Sequence, residues 1–327
     1  MKQLSGVTTE LGAPDKIAVK GVAVPGGWQP VRTRGDAIAG VLFVAPAVLL
    51  LTVFLVVPFA AAIGLSFTNQ KLFSPLPTLF IGLDNYGQLL TDRSFWSAVQ
   101  NNFAFTLVVP TAQTIFGLAL AILVNQQLPG STLFRAMYFA PVVTVLTVAS
   151  FIWKVMYDPD NGSVNAVLGA ILHTPVHVNW LTNPTTALPA IMIMSIWQNV
   201  GFQMVMLLAG LQGIPGELYE AARMDGAGAW ARFWHVTLPG MRNSLIFVYT
   251  ASIILSFRLF DQVYVMTGGG PGDATQTLMM NLVSVGFTQN QIAKGSAIGL
   301  MYFVLVLLVT ILARFVLRME GTANESR

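Results

Sequence analysis

Groups that could do chemistry are sparse in this chain, and their spacing excludes most reactions. His173 and His177 stand four residues apart, an interval that invites a zinc reading. Pro175 lies between them and no glutamate follows the first, so the pattern of a zinc hydrolase fails and the pair reads as polar loop histidines. A phosphate-cradling loop needs Gly-Lys-Ser/Thr, and no lysine here follows a glycine. The run Gly268-Gly269-Gly270-Pro271-Gly272-Asp273 has the glycines of such a loop but neither its lysine nor its strand–helix setting. Without cysteine there is no disulfide and no thiolate metal site. No metal site and no bound cofactor are expected. Carboxylates inside membrane spans are expensive and usually functional, and Asp261 alone qualifies. Arg258, three residues earlier, is close enough on a helix to neutralise it. The alternative is a charge that meets an anionic solute. What chemistry remains is recognition and passage of a solute.

The elements that would hold these groups are set by composition. Of 327 residues, 54% are hydrophobic and 9% charged, against about a quarter charged in a soluble domain. This is an all-α, polytopic membrane protein. Apolar runs long enough to cross a bilayer fall at about 38–67, 99–124, 134–157, 188–211, 244–267 and 293–317, giving six transmembrane helices. A polar tail, 1–37, precedes them; 68–94 is an external loop and 316–327 a short tail. Residues 95–315 hold the other five spans, with a loop at 212–242. Lysine and arginine accumulate on the cytoplasmic side. With both termini inside, the inner segments carry Lys2, Lys16, Lys20, Arg32, Arg34, Arg135, Arg223, Arg232, Arg242, Arg314, Arg318 and Arg327, and the outer loops only Lys71 and Arg93. No basic patch interleaved with aromatics suggests nucleic acid.

The inner loop between the fourth and fifth runs, Glu217 to Pro239, is the most charged and most helix-friendly part of the chain. It reads as two short helices joined at Gly226–Gly228, with Glu217 and Glu220 near the start of the first, where the helix dipole favours acids, and Pro239 ending the second. It resembles the EAA loop of the membrane subunits of binding-protein-dependent ABC importers: Glu220-Ala221-Ala222, then Gly226, then Val236-Thr237-Leu238-Pro239, with Val236 in place of isoleucine. Two further elements resemble the carbohydrate branch of that family: Gly82-Leu83-Asp84-Asn85-Tyr86, and Thr267-Gly268-Gly269-Gly270-Pro271.

The resemblance implies the type I ABC importer permease fold (MetI-like) and a bacterial cytoplasmic membrane location. It implies a homologous second permease, two ABC ATPase subunits that hold the ATP and magnesium, an external solute-binding protein, and a sugar, oligosaccharide or glycerol-phosphate-type solute. It assigns ATPase coupling to Glu217, Glu220, Ala221, Ala222, Asp225, Gly226, Val236, Leu238 and Pro239. On the fifth run, stepping about 100° per residue puts Ser252, Leu255, Ser256 and Leu259 on one stripe, away from Arg258 and Asp261. Aligned back from Gly269-Gly270-Pro271, those four match positions that face sugar in the maltose importer's larger permease. On the fourth run Val200, Gly201 and Met204 match likewise, with Asn199 and Gln203 as nearby polar groups for solute or for the partner permease. A rival reading of the serines is close helix packing. An ion-driven secondary transporter would show intramembrane acids and inverted repeats, and neither is evident.

Overall fold

The computed structural model describes residues 34–73, 77–126 and 130–322. Most of the expected N-terminal tail and the last five residues lie outside them. The chain divides into two units, one ending at Val57 and one beginning at Pro58.

In the first unit, α1 (Arg34–Leu51) runs into a π turn, Thr52–Val56. Leu42, Phe43 and Leu50 are all exposed. A helix apolar on every side has no aqueous face and belongs in lipid. The π turn closes with the Val57 N–H on the Thr52 carbonyl. It lies just before Pro58, whose missing N–H cannot serve the Phe54 carbonyl.

From Pro58 onward the elements are α2 (Val57–Ser66), α3 (Asp84–Thr91), α4 (Arg93–Asn125), α5 (Ser131–Val143), α6 (Leu146–Met156), α7 (Ser163–Leu172) and α8 (Pro184–Gln212). There follow α9 (Gly216–Met224), α10 (Ala229–Arg232), α11 (Leu238–Gly240), α12 (Arg242–Ser256), α13 (Asp261–Met266), α14 (Leu278–Val283) and α15 (Ile292–Thr322). Local chemistry sets the long helices. Asp92 caps α4 by accepting from the Ser94 N–H; Asn183 caps α8 the same way, with Pro184 in the first turn where no N–H is needed. Among the described residues the only β pairing is an isolated bridge, Thr68 to Phe80. Among the described residues four helices are long and apolar enough to cross a membrane, and two bent pairs bring the crossings to as many as six. The all-α expectation holds, and the four to six candidate crossings include the six expected.

Three clusters bury the apolar faces. One joins Phe105, Ile191, Met194 and Val263; the second Ala121, Val124, Leu207, Leu211 and Met241; the third Leu89, Phe95, Leu278 and Ile298. Asn85 and Tyr86 act as a staple: the Asn85 amide donates to the Ser66 and Thr68 carbonyls at 2.8 Å each, and the Tyr86 hydroxyl to Ser66 Oγ at 2.8 Å.

The continuous helices expected for the third and fifth runs are corrected by the fold. The third is two helices, α5 and α6, bent by 98° at Thr144–Val145. The Thr144 carbonyl freed there accepts from Gln198 Nε2 at 3.0 Å. The fifth stops at Ser256 and resumes at Asp261. In the gap, the Phe257 carbonyl accepts from the Tyr302 hydroxyl and the Leu259 carbonyl from Thr277 Oγ1 at 2.9 Å. Non-helical backbone at membrane depth is tolerated where protein satisfies it, and here the satisfying groups come from distant elements. Pro239 does not end its helix either. A π turn, Phe233–Thr237, places the Leu238 N–H on the Phe233 carbonyl, and the helix continues to Gly240 before a 68° bend into α12. The outer segment after Gly272 is not all loop, since α14 and a π turn, Ser284–Thr288, pack on α15.

Candidate coupling surface and solute path

The loop read as the coupling element is an ordered knuckle. In α9, Glu217, Glu220 and Ala221 are exposed and Ala222 is half-buried. The helix ends in a Schellman motif: the Gly226 N–H donates to the Arg223 carbonyl at 3.0 Å and the Ala227 N–H to the Ala222 carbonyl at 2.9 Å. The motif needs a left-handed residue, and Gly226 supplies it with φ +76°. Asp225 and Gly226 are exposed at the tip, with nothing within 4 Å of where a Cβ on Gly226 would stand. Tyr219 and Thr237 share a hydroxyl hydrogen bond at 3.0 Å that ties α9 to the returning chain. Val236 and Leu238 are half-buried and Pro239 exposed on that return.

The knuckle also displays apolar groups that the EAA pattern does not contain. Met224 is 89% exposed and Trp230 73%, with Trp230 stacked on Phe233. Trp230 also meets Trp234 edge-on, so aromatic rings cluster on the returning chain. Their signal was legible: they are the large apolar residues of a charged segment.

Of the path positions assigned on the fifth run, Ser252, Leu255 and Ser256 share α12 while Leu259 lies outside it. Ser252, Ser256, Val200, Gly201, Met204 and Leu259 are buried within this chain, whereas Leu255 is 54% exposed. Because α12 ends at Ser256, Leu259 lies beyond the helix on which the stripe was drawn. Ser252 sits in a closed polar cluster. Gln203 Nε2 donates to Gln113 Oε1 at 3.0 Å and to Ser252 Oγ at 2.9 Å; Ser252 Oγ donates to Gln113 Oε1 at 2.9 Å. Thr114 Oγ1 donates to Gln203 Oε1 at 2.9 Å, and Gln113 Nε2 to the Ser195 carbonyl at 2.8 Å. Ser256 Oγ donates to the Ser252 carbonyl at 2.8 Å. Gln203 is thus bonded inside this chain, while Asn199 remains exposed. Gly201 is a contact point: an added Cβ would stand 1.9 Å from the Tyr138 carbonyl oxygen. Sequence reasoning passed over Gln113, Thr114, Ser195 and Gln198, although each interrupts an otherwise apolar run.

Arg258 and Asp261 do not pair. Both are exposed, on either side of the break, and among the described residues the one ion pair is Lys294 to Asp92 at 3.7 Å. The glycine turn at the outer end closes α13, with positive φ at Gly268, Gly269 and Gly272 and the Gly268 N–H on the Val263 carbonyl at 2.8 Å. Asn101 donates to the Asp273 and Gln276 carbonyls and fixes the turn to α4. His173 and His177 both line an open cavity of about 510 Å³ beside α7, with Asp160. Among the described residues, no three His, Cys, Asp or Glu side chains gather to hold a metal.

Residues 29–319 match the family described as the binding-protein-dependent transport system inner membrane component. The chain is 36% identical over 276 residues to the trehalose/maltose transport system permease protein MalF of Thermococcus litoralis, covering 84% of this chain and 92% of that one. It is 35% identical to the sulfoquinovosyl glycerol transport system permease protein SmoG of Agrobacterium fabrum, covering 86% and 91%. It is 36% identical to the lactose transport system permease protein LacF of Rhizobium radiobacter, covering 84% and 91%. Among solved structures, a chain of a bacterial ABC transporter that imports the acidic polysaccharide alginate superposes with TM-score 0.74 at 20% identity, covering 88% of this chain and 96% of that one.

Proposed function

Since the chain belongs to the family of binding-protein-dependent transport system inner membrane components, we propose that it carries a sugar, an oligosaccharide or a glycerol-phosphate-type solute inward as one permease of an ATP-driven importer. Relatives whose names specify trehalose/maltose, lactose and sulfoquinovosyl glycerol support the carbohydrate class. The observation that carries the coupling role is the knuckle, with Gly226 setting its bend and Glu217, Glu220, Met224 and Trp230 held outward. In this reading the ATPase receives α9 in a groove lined with basic residues, and Ala221 lets the helix approach closely. Hydrolysis, with ATP and magnesium, belongs to the partner ATPase subunits. A homologous second permease completes the path, and an external binding protein delivers solute at the glycine-turn end. Both termini and the knuckle lie in the cytoplasm, a reading supported by the placement of lysine and arginine.

The path residues keep their place in this proposal with divided roles. Leu255 faces outward, towards the partner permease. Ser252 and Ser256 meet solute only by exchanging the bonds they hold in this state. Val200, Gly201, Met204 and Leu259 shape the wall from within.

The test is Gly226→Leu in the importer reconstituted with its cognate ATPase and second permease. A left-handed backbone costs a non-glycine residue about 1–2 kcal/mol. With open space around the site, the change should spare membrane insertion but weaken ATPase assembly or uncouple hydrolysis from uptake. Full coupled uptake by the variant would sink the role given to the knuckle. Binding of a panel of sugars and glycerol phosphates to the cognate binding protein identifies the solute.

A further inference from the structure

Behind the knuckle, where α4 and α8 end, lies a second cavity of about 280 Å³. Its floor is apolar, from Ile122, Leu211 and Phe233. Two arginines line it: Arg223 from α9, exposed, and Arg232 from α10, half-buried. Asn125 and Gln126 add amides from the end of α4. No carboxylate lines the cavity, and neither arginine has an acidic side chain within 4.0 Å among the described residues. Glu220 and Asp225, exposed, flank Arg223 in sequence but do not line the cavity.

Two unneutralised arginines around one concavity repel each other and favour an anion between them. Arginine presents a planar fork of donors that matches the oxygens of phosphate in two-point contacts. The space of about 280 Å³ is many times the roughly 10–15 Å³ that one water requires, and more than a bare ion needs. An apolar floor at the end of two spanning helices suits a group whose charge is joined to a less polar remainder. Basic pockets of this kind between helix ends bind the heads of anionic lipids.

We propose that this cavity binds a phosphate-bearing group, held by Arg223 and Arg232, and that its occupant braces α9 against the ends of α4 and α8. The chemistry is shared by an anionic lipid head and by a free phosphate compound. Neither the solute reading nor the ATPase reading is needed for it.

The test uses the full chain in nanodiscs of phosphatidylcholine, with and without phosphatidylglycerol, and inorganic phosphate and pyrophosphate as soluble probes. Melting temperature and native mass spectrometry of retained lipid are read for the wild type and for R223Q/R232Q, with R223K/R232K as the charge-preserving control. Phosphatidylglycerol should raise the wild-type melting temperature and persist as a bound lipid. The glutamine pair should bind about tenfold more weakly or worse, as loss of a charge-assisted bond requires, and the lysine pair should recover part of the effect. If soluble phosphate alone gives the full shift in neutral discs, the site stands and its source is the cytosol. The exposed single change Arg223→Gln serves if the double variant does not fold. A wild type indifferent to both probes, or a glutamine variant that responds as fully as the wild type, overturns the assignment.

Discussion

Replacing Gly201 with alanine separates two readings of one residue. On the permease alignment it is a small residue that leaves room for solute. In the fold it is where α8 meets α5. A Cβ placed there would stand 1.9 Å from the Tyr138 oxygen and 2.7 Å from its carbonyl carbon, and both are backbone atoms. Ordinary contact begins near 3.4 Å, so the two backbones must part by about 1.5 Å. Overpacking of this kind costs roughly 1–3 kcal/mol. The damage extends one turn further. Gln198, three residues earlier on the same face of α8, holds the Thr144 carbonyl at 3.0 Å, and the separation would break that bond. An interhelical hydrogen bond in a membrane is worth about 0.6 kcal/mol on average and up to about 1.7. The total expected loss is about 2–5 kcal/mol. Thermal unfolding in nanodiscs, followed by tryptophan fluorescence, measures it; the environment of Trp197, one turn away on α8, should change in the same variant. A Gly201→Ala protein that melts with the wild type, and differs only in which sugar it carries, refutes the packing argument and returns the residue to the solute path.

Three other changes probe the interior. Gln203→Leu removes the bonds to Gln113 and Ser252 and the acceptor of Thr114, at a cost of about 2 kcal/mol and at most about 5; an unchanged melting temperature would show that the cluster is not holding α4, α8 and α12 together. Tyr302→Phe strips the Phe257 carbonyl of its donor, so amide exchange across residues 256–261 should quicken, and equal protection in both proteins would mean that the break is held by other groups. Ser256→Leu fills a buried position. Uptake should fall while ATP hydrolysis stimulated by the binding protein persists; unchanged uptake with unchanged solute preference would remove this stretch from the path.

The membrane class, the six-span arrangement and the knuckle were legible in the sequence because each rests on local rules. Apolar length sets the spans. The residues of the Glu220 loop sit at fixed intervals, and Gly226 marks the one left-handed position that the loop needs. The interruptions were not legible, because their causes are not local. Nothing in Phe257-Arg258-Leu259-Phe260 forbids a helix. The break is held by Thr277 and by Tyr302, which lies 45 residues away. Pro141 lies inside α5, two residues before its end, yet the carbonyl freed at the 98° bend is satisfied by Gln198 from another helix. Treating residues 244–267 as one rod therefore drew Leu259 onto a helix it does not occupy, and joined Arg258 to an Asp261 with which it makes no ion pair.

These interior contacts converge on one helix. At 29 residues and ~1.5 Å per residue, α8 is about 43 Å long. Along it, Tyr157 donates to the Ala190 carbonyl at 3.1 Å, the Ser195 carbonyl accepts from Gln113, Gln198 holds the bend of α5 and α6, and Gln203 joins α4 to α12. Its last turn leads through Gly213 and Pro215 directly into α9. The knuckle is thus joined to the interior by a helix bonded to its neighbours at four levels, and a push on α9 meets a connected structure. Any movement that opens the path must either carry α8 as a unit or break polar bonds that have no water to replace them. The first is cheaper. If α9 couples as proposed above, the short link Gly213–Gly216 between α8 and α9, rather than the serines of α12, is where the two ends communicate.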